Sequence, residues 1–234
     1  MKKAVAKDNM DHVTSKAISG FFMLLATLGV LLFIPAWTVR YLQAWLYLLT
    51  FAVSTIWITL YLFKNDPKLL EKRVNAGAAA EKEKSQQTIQ AIAGVFFCLI
   101  YVVAGFDFRF HWSKIPELLS ISANIFVFLG FVIVFLVFKE NSYTSAIIEV
   151  DQDQKVISTG MYSVVRHPMY LGAILMLLFS CVALGSYWAL LCVAALTISI
   201  IARLLKEEKF LLENLSGYDA YCKKVKYHLI PFIW

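Results

Sequence analysis

The sequence predicts an all-α, polytopic integral membrane protein of about six transmembrane helices, the last two forming a C-terminal hairpin. Three observations carry this. First, 60% of the 234 residues are hydrophobic and the mean hydropathy is +0.68, above the apolar share of soluble domains. Second, apolar windows of about 20 residues, the length that crosses roughly 30 Å of hydrocarbon as helix, fall at about 17–37, 41–63, 89–108 and 118–138. Third, the apolar run 169–205 would reach roughly 50 Å as one helix and carries Gly185-Ser186 at its middle. It therefore folds back as two spans near 169–184 and 187–205, the first of them short.

Basic residues set the orientation, since Lys and Arg are retained on the cytoplasmic side. They cluster before the first span, after the second, after the fourth and beyond Arg203; only Arg40, Arg109 and Lys114 fall on the other side. Both termini are thus expected in the cytoplasm. The net charge of +6 is accounted for by topology and anionic headgroups, and points to no nucleic-acid partner. Cys98, Cys181, Cys192 and Cys222 show no metal-ligand spacing and read as small core hydrophobes. The first apolar segment lacks a small-residue cleavage site and is followed by further spans, so a cleaved signal peptide is not expected.

Taken in order, residues 1–16 are polar and read as poorly ordered or surface-lying. Spans one and two form an antiparallel pair across a turn near Pro35 and Trp37. Asp66-Pro67 starts a short helix, with Leu69 and Leu70 expected on the membrane surface and Lys68, Lys72 and Arg73 facing headgroups. Residues 75–87, Ala-rich and then alternating in charge, read as a flexible link. At the outer end of span three Asp107 is expected to compensate Arg109 within an aromatic belt. After span four the composition changes most, and residues 141–159 have no evident helix. Irregular backbone at this depth is tolerated where it lines a cavity. A division at residue 138 into an N-terminal four-helix membrane region, 1–138, and a C-terminal region, 139–234, follows.

The chemistry gathers at two places. Tyr162, Arg166-His167-Pro168 and Tyr170 stand at the entry to the hairpin, where Pro168 disfavours helix at His167 and leaves the imidazole projecting. The same residues suit an interfacial anchor. Arg203, Glu207 and Glu208 end the returning arm, with Arg203 and Glu207 four apart on one helix face. Charge at the end of a span is costly unless paired or functional. The hairpin brings both ends to one membrane face, and the aromatic, basic tail 217–234 can lie across them as a lid or simply anchor at the surface.

The pattern Gly160-x-Tyr162-x-x-x-Arg166-His167-Pro168-x-Tyr170-x-Gly172, followed by Arg203-x-x-x-Glu207-Glu208 and by Gly217-Tyr218-x-x-Tyr221 with Leu229-Ile230-Pro231, resembles the isoprenylcysteine carboxyl methyltransferase family and its phospholipid methyltransferase relatives. The likeness is strongest over about 139–234. It implies an integral membrane enzyme using S-adenosylmethionine, with Gln154, Lys155, Val156, Ile157, Tyr162, His167, Pro168, Met169, Tyr170 and Glu207 at the cofactor. It places Arg203 at the methyl acceptor. The first position of the 154–157 element is commonly histidine in that family and is Gln154 here; a glutamine of eukaryotic members corresponds to Ile147. These departures bear on the acceptor more than on the cofactor.

No glycine-rich dinucleotide fingerprint occurs, so the cofactor site must be built from loops and helix ends facing the cytoplasm. A carboxylate acceptor needs no general base and would be oriented by Arg203; an amine acceptor needs one, for which Glu208 is nearest. The acceptor is expected to be lipophilic or amphipathic, an isoprenylcysteine carboxylate, a phospholipid amine or a small thiol. Two other classes stay open at this level: a sterol-reductase-like NADPH-dependent membrane oxidoreductase, and a non-enzymatic transporter or scaffold. The absence of ionisable residues midway along spans one to four speaks against an ion pathway.

Overall fold

The computed structural model describes residues 2–234, with side chains from His12 onward. Five helices are long and apolar enough to cross a membrane: α1 (Lys2–Ala36, apolar over His12–Ala36), α2 (Leu42–Asn65), α4 (Lys84–Phe110), α5 (Glu117–Glu140) and α7 (Ala189–Asn214). Short α3 (Pro67–Val74) follows α2, and α6 (Pro168–Ala183) supplies the first arm of the hairpin. At 16 residues, α6 is about 24 Å long, less than a full bilayer core. A final short helix, α8 (Tyr218–Lys224), lies in the tail. No strand occurs among the described residues.

Helix α1 begins well before its apolar part, where irregular or surface-lying chain was expected. Nothing between Lys2 and Lys16 is a proline or glycine, so the helix has no reason to stop. Asp66 caps α3, accepting from the Leu69 amide at 3.0 Å, with Pro67 at the first position. The expected membrane-surface placement of α3 is not what forms. Leu69 and Leu70 are buried, because α3 packs back on α1 and α2; Lys72 pairs with Asp151, and Arg73 turns inward. The following segment is not a loose link either. It makes a 3-10 turn at Ala78–Ala80 and buries Glu81.

Asp107 does not pair with Arg109. Residues two apart on a helix do not face each other. Asp107 instead accepts from the Ser113 amide and hydroxyl, both at 2.7 Å, and from the Ser186 hydroxyl at 2.5 Å. Arg109 lies over the Trp37 ring, 5.3 Å from its centre. The hairpin turn is therefore tied to the end of α4. Gly185 adopts φ +76° there, a conformation other residues resist, and Ser186 accepts from the Ala189 amide at 3.2 Å to start α7.

One apolar cluster runs from Val13 to Leu196, and a second joins Val137 and Tyr162 to Leu215 and to Tyr218, Tyr221 and Val225 of the tail. Within the first, small residues set one contact. There α5 and α6 lie with their backbones touching: a Cβ on Gly130 would come 2.8 Å from the Gly172 carbonyl oxygen and 2.7 Å from Met176 Cβ. Small residues permit this approach, as at membrane helix crossings generally. It fixes where the start of α6, and so His167 to Tyr170, meets the loop after α5. Gly130→Ala is expected to destabilise the protein by about 1–3 kcal/mol, read as a lowered unfolding midpoint in detergent. Gly94→Ala, whose added carbon meets nothing within 4 Å, is expected to be neutral or to stabilise by about 0.5–1 kcal/mol.

Candidate active site

Three pieces of chain build the site. The irregular segment after α5, residues 141–159, runs over the end of the bundle; the start of α6 rises beside it; the last turns of α7 close the third side. The segment is pinned to the α3–α4 connection by Lys72–Asp151 and by Lys82–Glu149 at 3.0 Å. Ser145 donates to the same Glu149 carboxylate at 2.9 Å, and Gln154 accepts from the Asp151 amide at 3.1 Å. Residues 154–158 have no regular structure, and the amides of Lys155, Val156 and Ile157 have no acceptor among the described residues.

These pieces enclose a cleft of about 870 Å³ of empty space, mouth included. Gln154, Lys155, Val156, Ile157, Tyr162, His167, Pro168, Met169, Tyr170, Arg203 and Glu207 all line it. Glu208 does not. Its carboxylate points away, to Arg166 Nε at 2.7 Å and His228 Nε2 at 2.8 Å.

The polar wall of the cleft is a chain of hydrogen bonds. Tyr170 donates to Glu207 Oε2 at 2.5 Å and accepts from Arg203 Nε at 3.1 Å, so Arg203 and Glu207 communicate through the phenol rather than pairing directly. Arg203 also donates to the Ala146 carbonyl at 3.1 Å and pairs with Glu81 at 2.6 Å. On the facing side Tyr162 accepts from Asn141 at 3.0 Å, and its backbone carbonyl accepts from the Tyr221 hydroxyl at 2.7 Å. Burial pushes the Tyr162 phenol well above its ordinary value, so it remains a neutral donor.

His167 caps the scene. Burial pushes its imidazolium down to about 4, with Glu208 opposing and Arg166 and His228 assisting. The ring is neutral at pH 7, and its Nε2 is buried without a protein partner in a residue that lines the cleft. A buried polar atom without a partner marks a place where a ligand can complete the bonding.

The tail covers this end. The Arg166 and His167 amides donate to the Tyr227 and His228 carbonyls, both at 2.9 Å, and Arg166 donates through Nη1 to the Val225 and Lys226 carbonyls at 2.9 and 3.2 Å. Tyr218 and Tyr221 of α8 reach the cleft wall. Arg166 is 8% exposed, so it is a clasp for the tail and not a headgroup anchor.

A second, larger cavity lies among α1, α2, α3, α4, α5, α6 and α7, with apolar walls such as Leu24, Ile58, Phe131, Ala173 and Ile200. It shares Ser145, Met169, Tyr170 and Arg203 with the first. Neither it nor two charged residues beside the site, Arg73 in its wall and Glu81 paired with Arg203, were legible in the sequence. Both sit in a charged connection where lysines and glutamates read as solvated, and only folding brings them under the loop.

Residues 118–216 match the phospholipid methyltransferase family. The matched segment runs from α5 through the end of α7 and contains the whole lining drawn from the start of α6 and from α7. The match supports a methyltransferase reading over the oxidoreductase and transporter readings. No curated protein matches the chain.

Two measurements test the cleft and its clasp. An unfolded His167 binds its proton near pH 6.5, and the folded one only near 4. The unfolded chain therefore holds more protons between those values, and stability is complete above about pH 6.5 and falls toward pH 4, by on the order of 3 kcal/mol. His167→Gln is expected to flatten that part of the stability profile in denaturant melts. For the clasp, Arg166→Ala leaves Glu208 buried without its cation and should cost about 3–5 kcal/mol, whereas the double variant Arg166→Met with Glu208→Leu should recover much of it. Equal instability of both would show that the ion pair is not what holds the tail.

Proposed function

We propose that this protein transfers a methyl group from S-adenosylmethionine to a lipophilic or amphipathic acceptor that enters from the bilayer. The observation that carries the reading is the meeting of two cavities of different character at one wall, formed by Ser145, Met169, Tyr170 and Arg203. One is loop-lined, with polar and apolar surface in similar measure. The other is mostly apolar.

The cleft suits the cofactor in chemical kind. Glu207 offers a carboxylate to an ammonium or sulfonium, the amides of 155–157 and His167 Nε2 offer hydrogen bonds without present partners, and Tyr162 and Tyr170 offer ring surfaces. When bound, S-adenosylmethionine supplies a methyl carbon already attached to a good leaving group. The protein's task is then alignment and exclusion of water. The tail and α8 close the cytoplasmic side of the cleft, and Arg203, held on three sides, keeps the shared wall in place.

The acceptor reading favours an oxygen nucleophile of the isoprenylcysteine carboxylate kind. An amine would have to lose a proton, and Glu208, the base considered for that step, lines neither cavity and has both oxygens engaged. A carboxylate is deprotonated at pH 7 and attacks through an oxygen lone pair as the carbon–sulfur bond breaks. The clustering of Lys and Arg supports a placement of both termini and the cleft on the cytoplasmic side.

Purified protein incubated with host lipid extract and methyl-labelled S-adenosylmethionine is expected to give a labelled lipid whose label is released as methanol by mild alkali, as an ester requires. Label stable to alkali would overturn the carboxylate reading, and no transfer to any lipid would overturn methylation of a lipophile. Calorimetry with S-adenosylhomocysteine is expected to show binding by the wild type and a loss of about tenfold or more in Glu207→Gln, the scale of a hydrogen bond to a charged group.

A further inference from the structure

Two arginines stand at the meeting of the cavities, and their surroundings differ. Each nitrogen of Arg203 already has a neighbour: Nε donates to Tyr170, Nη2 to the Ala146 carbonyl, and Nη1 is ion-paired with Glu81. Glu81 is itself fixed, accepting from Gln90 at 3.1 Å and from the Ile148 amide at 3.3 Å. A group so held can orient a wall but has little left with which to bind an incoming anion.

Arg73 is the opposite case. It lines the mostly apolar cavity and not the loop-lined one. Its Nη1 donates to the Ser145 carbonyl at 3.0 Å and lies 4.0 Å from Met169 Sδ, and both of those residues belong to the shared wall. Its guanidinium sits 5.1 Å from the centre of the Phe138 ring. Among the described residues no carboxylate stands within ion-pairing distance of it. Burial pulls the guanidinium below its ordinary value, yet an arginine keeps its charge in such places. A partly buried cation with no ion-pair partner favours an anion that can join it.

The resulting charge arrangement is directional. Glu207 presents a carboxylate to the loop-lined cleft, and Arg73 presents a cation to the mostly apolar one. Apart from Arg203 in the shared wall, the remaining cation of that cavity, Lys16, is exposed on α1 and donates to Asn75 at 2.5 Å.

We propose that Arg73 anchors an anionic group, carboxylate or phosphate, of the lipophilic acceptor beside the Met169–Tyr170 wall, and so determines which acceptors the site takes. The proposal rests on the reading of this cavity as the acceptor's. It makes Arg73 the specificity residue and leaves Arg203, with Glu81 behind it, as the positioning element.

The test uses four ligands with one tail, oleate, oleyl phosphate, oleamide and oleylamine, titrated into the full-length protein in non-ionic detergent. The wild type is expected to bind at least one of the two anions about tenfold or more tighter than oleamide, and the better anion names the acceptor's charged group. R73Q is expected to abolish that preference while binding oleamide as the wild type does, and K16Q to retain it. Should R73Q not yield folded protein, R73K, which keeps charge but loses the planar fork, is expected to bind the preferred anion more weakly with oleamide unchanged. The proposal is overturned if the wild type binds oleamide as well as either anion, if it prefers oleylamine, if the preference survives R73Q, or if K16Q removes it. S-adenosylhomocysteine binding is expected to be unchanged in R73Q. Absence of that binding in the wild type would sink the methyl-donor reading, while the oleyl series would still decide the role of Arg73.

Discussion

Charge at the end of an apolar helix bundle must find a partner, and that requirement organises this protein's working end. The row Glu207–Tyr170–Arg203–Glu81 satisfies it with two carboxylates, one guanidinium and one phenol, drawn from α7, α6 and the connection before α4. No single element could supply this row. Because burying any one of these groups alone is costly, the loop after α5, the start of α6 and the end of α7 are held in one relative arrangement, and the cleft is the space left between them.

The arrangement also depends on a contact with no charge in it. Gly130 and Gly172 let α5 and α6 touch backbone to backbone, and this sets the height at which Pro168 to Tyr170 emerge. At the far end Asp107, Ser113 and Ser186 tie the hairpin turn to α4. Helix α6 is therefore fixed at both ends, which a short, almost wholly apolar helix in lipid could not achieve by hydrophobic burial alone. The side chains that reach the cleft are carried on a rigid rod.

Glu207 and Glu208 show how adjacent residues divide labour. Successive positions on a helix point about 100° apart, so one carboxylate faces the cleft and the other faces the tail. The spacing from Arg203 already contained this: Glu207 at i+4 shares its face and Glu208 does not. Read more strictly, the sequence would have separated the two. Arg166 was ambiguous for a different reason, since an arginine at a membrane edge suits a headgroup as well as a buried clasp. Its partners, the Val225 and Lys226 carbonyls, lie in backbone about 60 residues away.

The sequence by itself determined the class of the fold, the hairpin and its turn, and the residues of the start of α6 and of α7 that converge on one cleft, because hydropathy and helical spacing are local properties that lipid enforces. Tertiary structure alone decided that Arg203 is neutralised by Glu81, that Arg73 turns from the headgroups into an apolar cavity, and that two cavities share a wall. Those outcomes join residues from distant parts of the chain, and in a connection of mixed lysines and glutamates no local pattern distinguishes the charge that will be buried from those that stay in water.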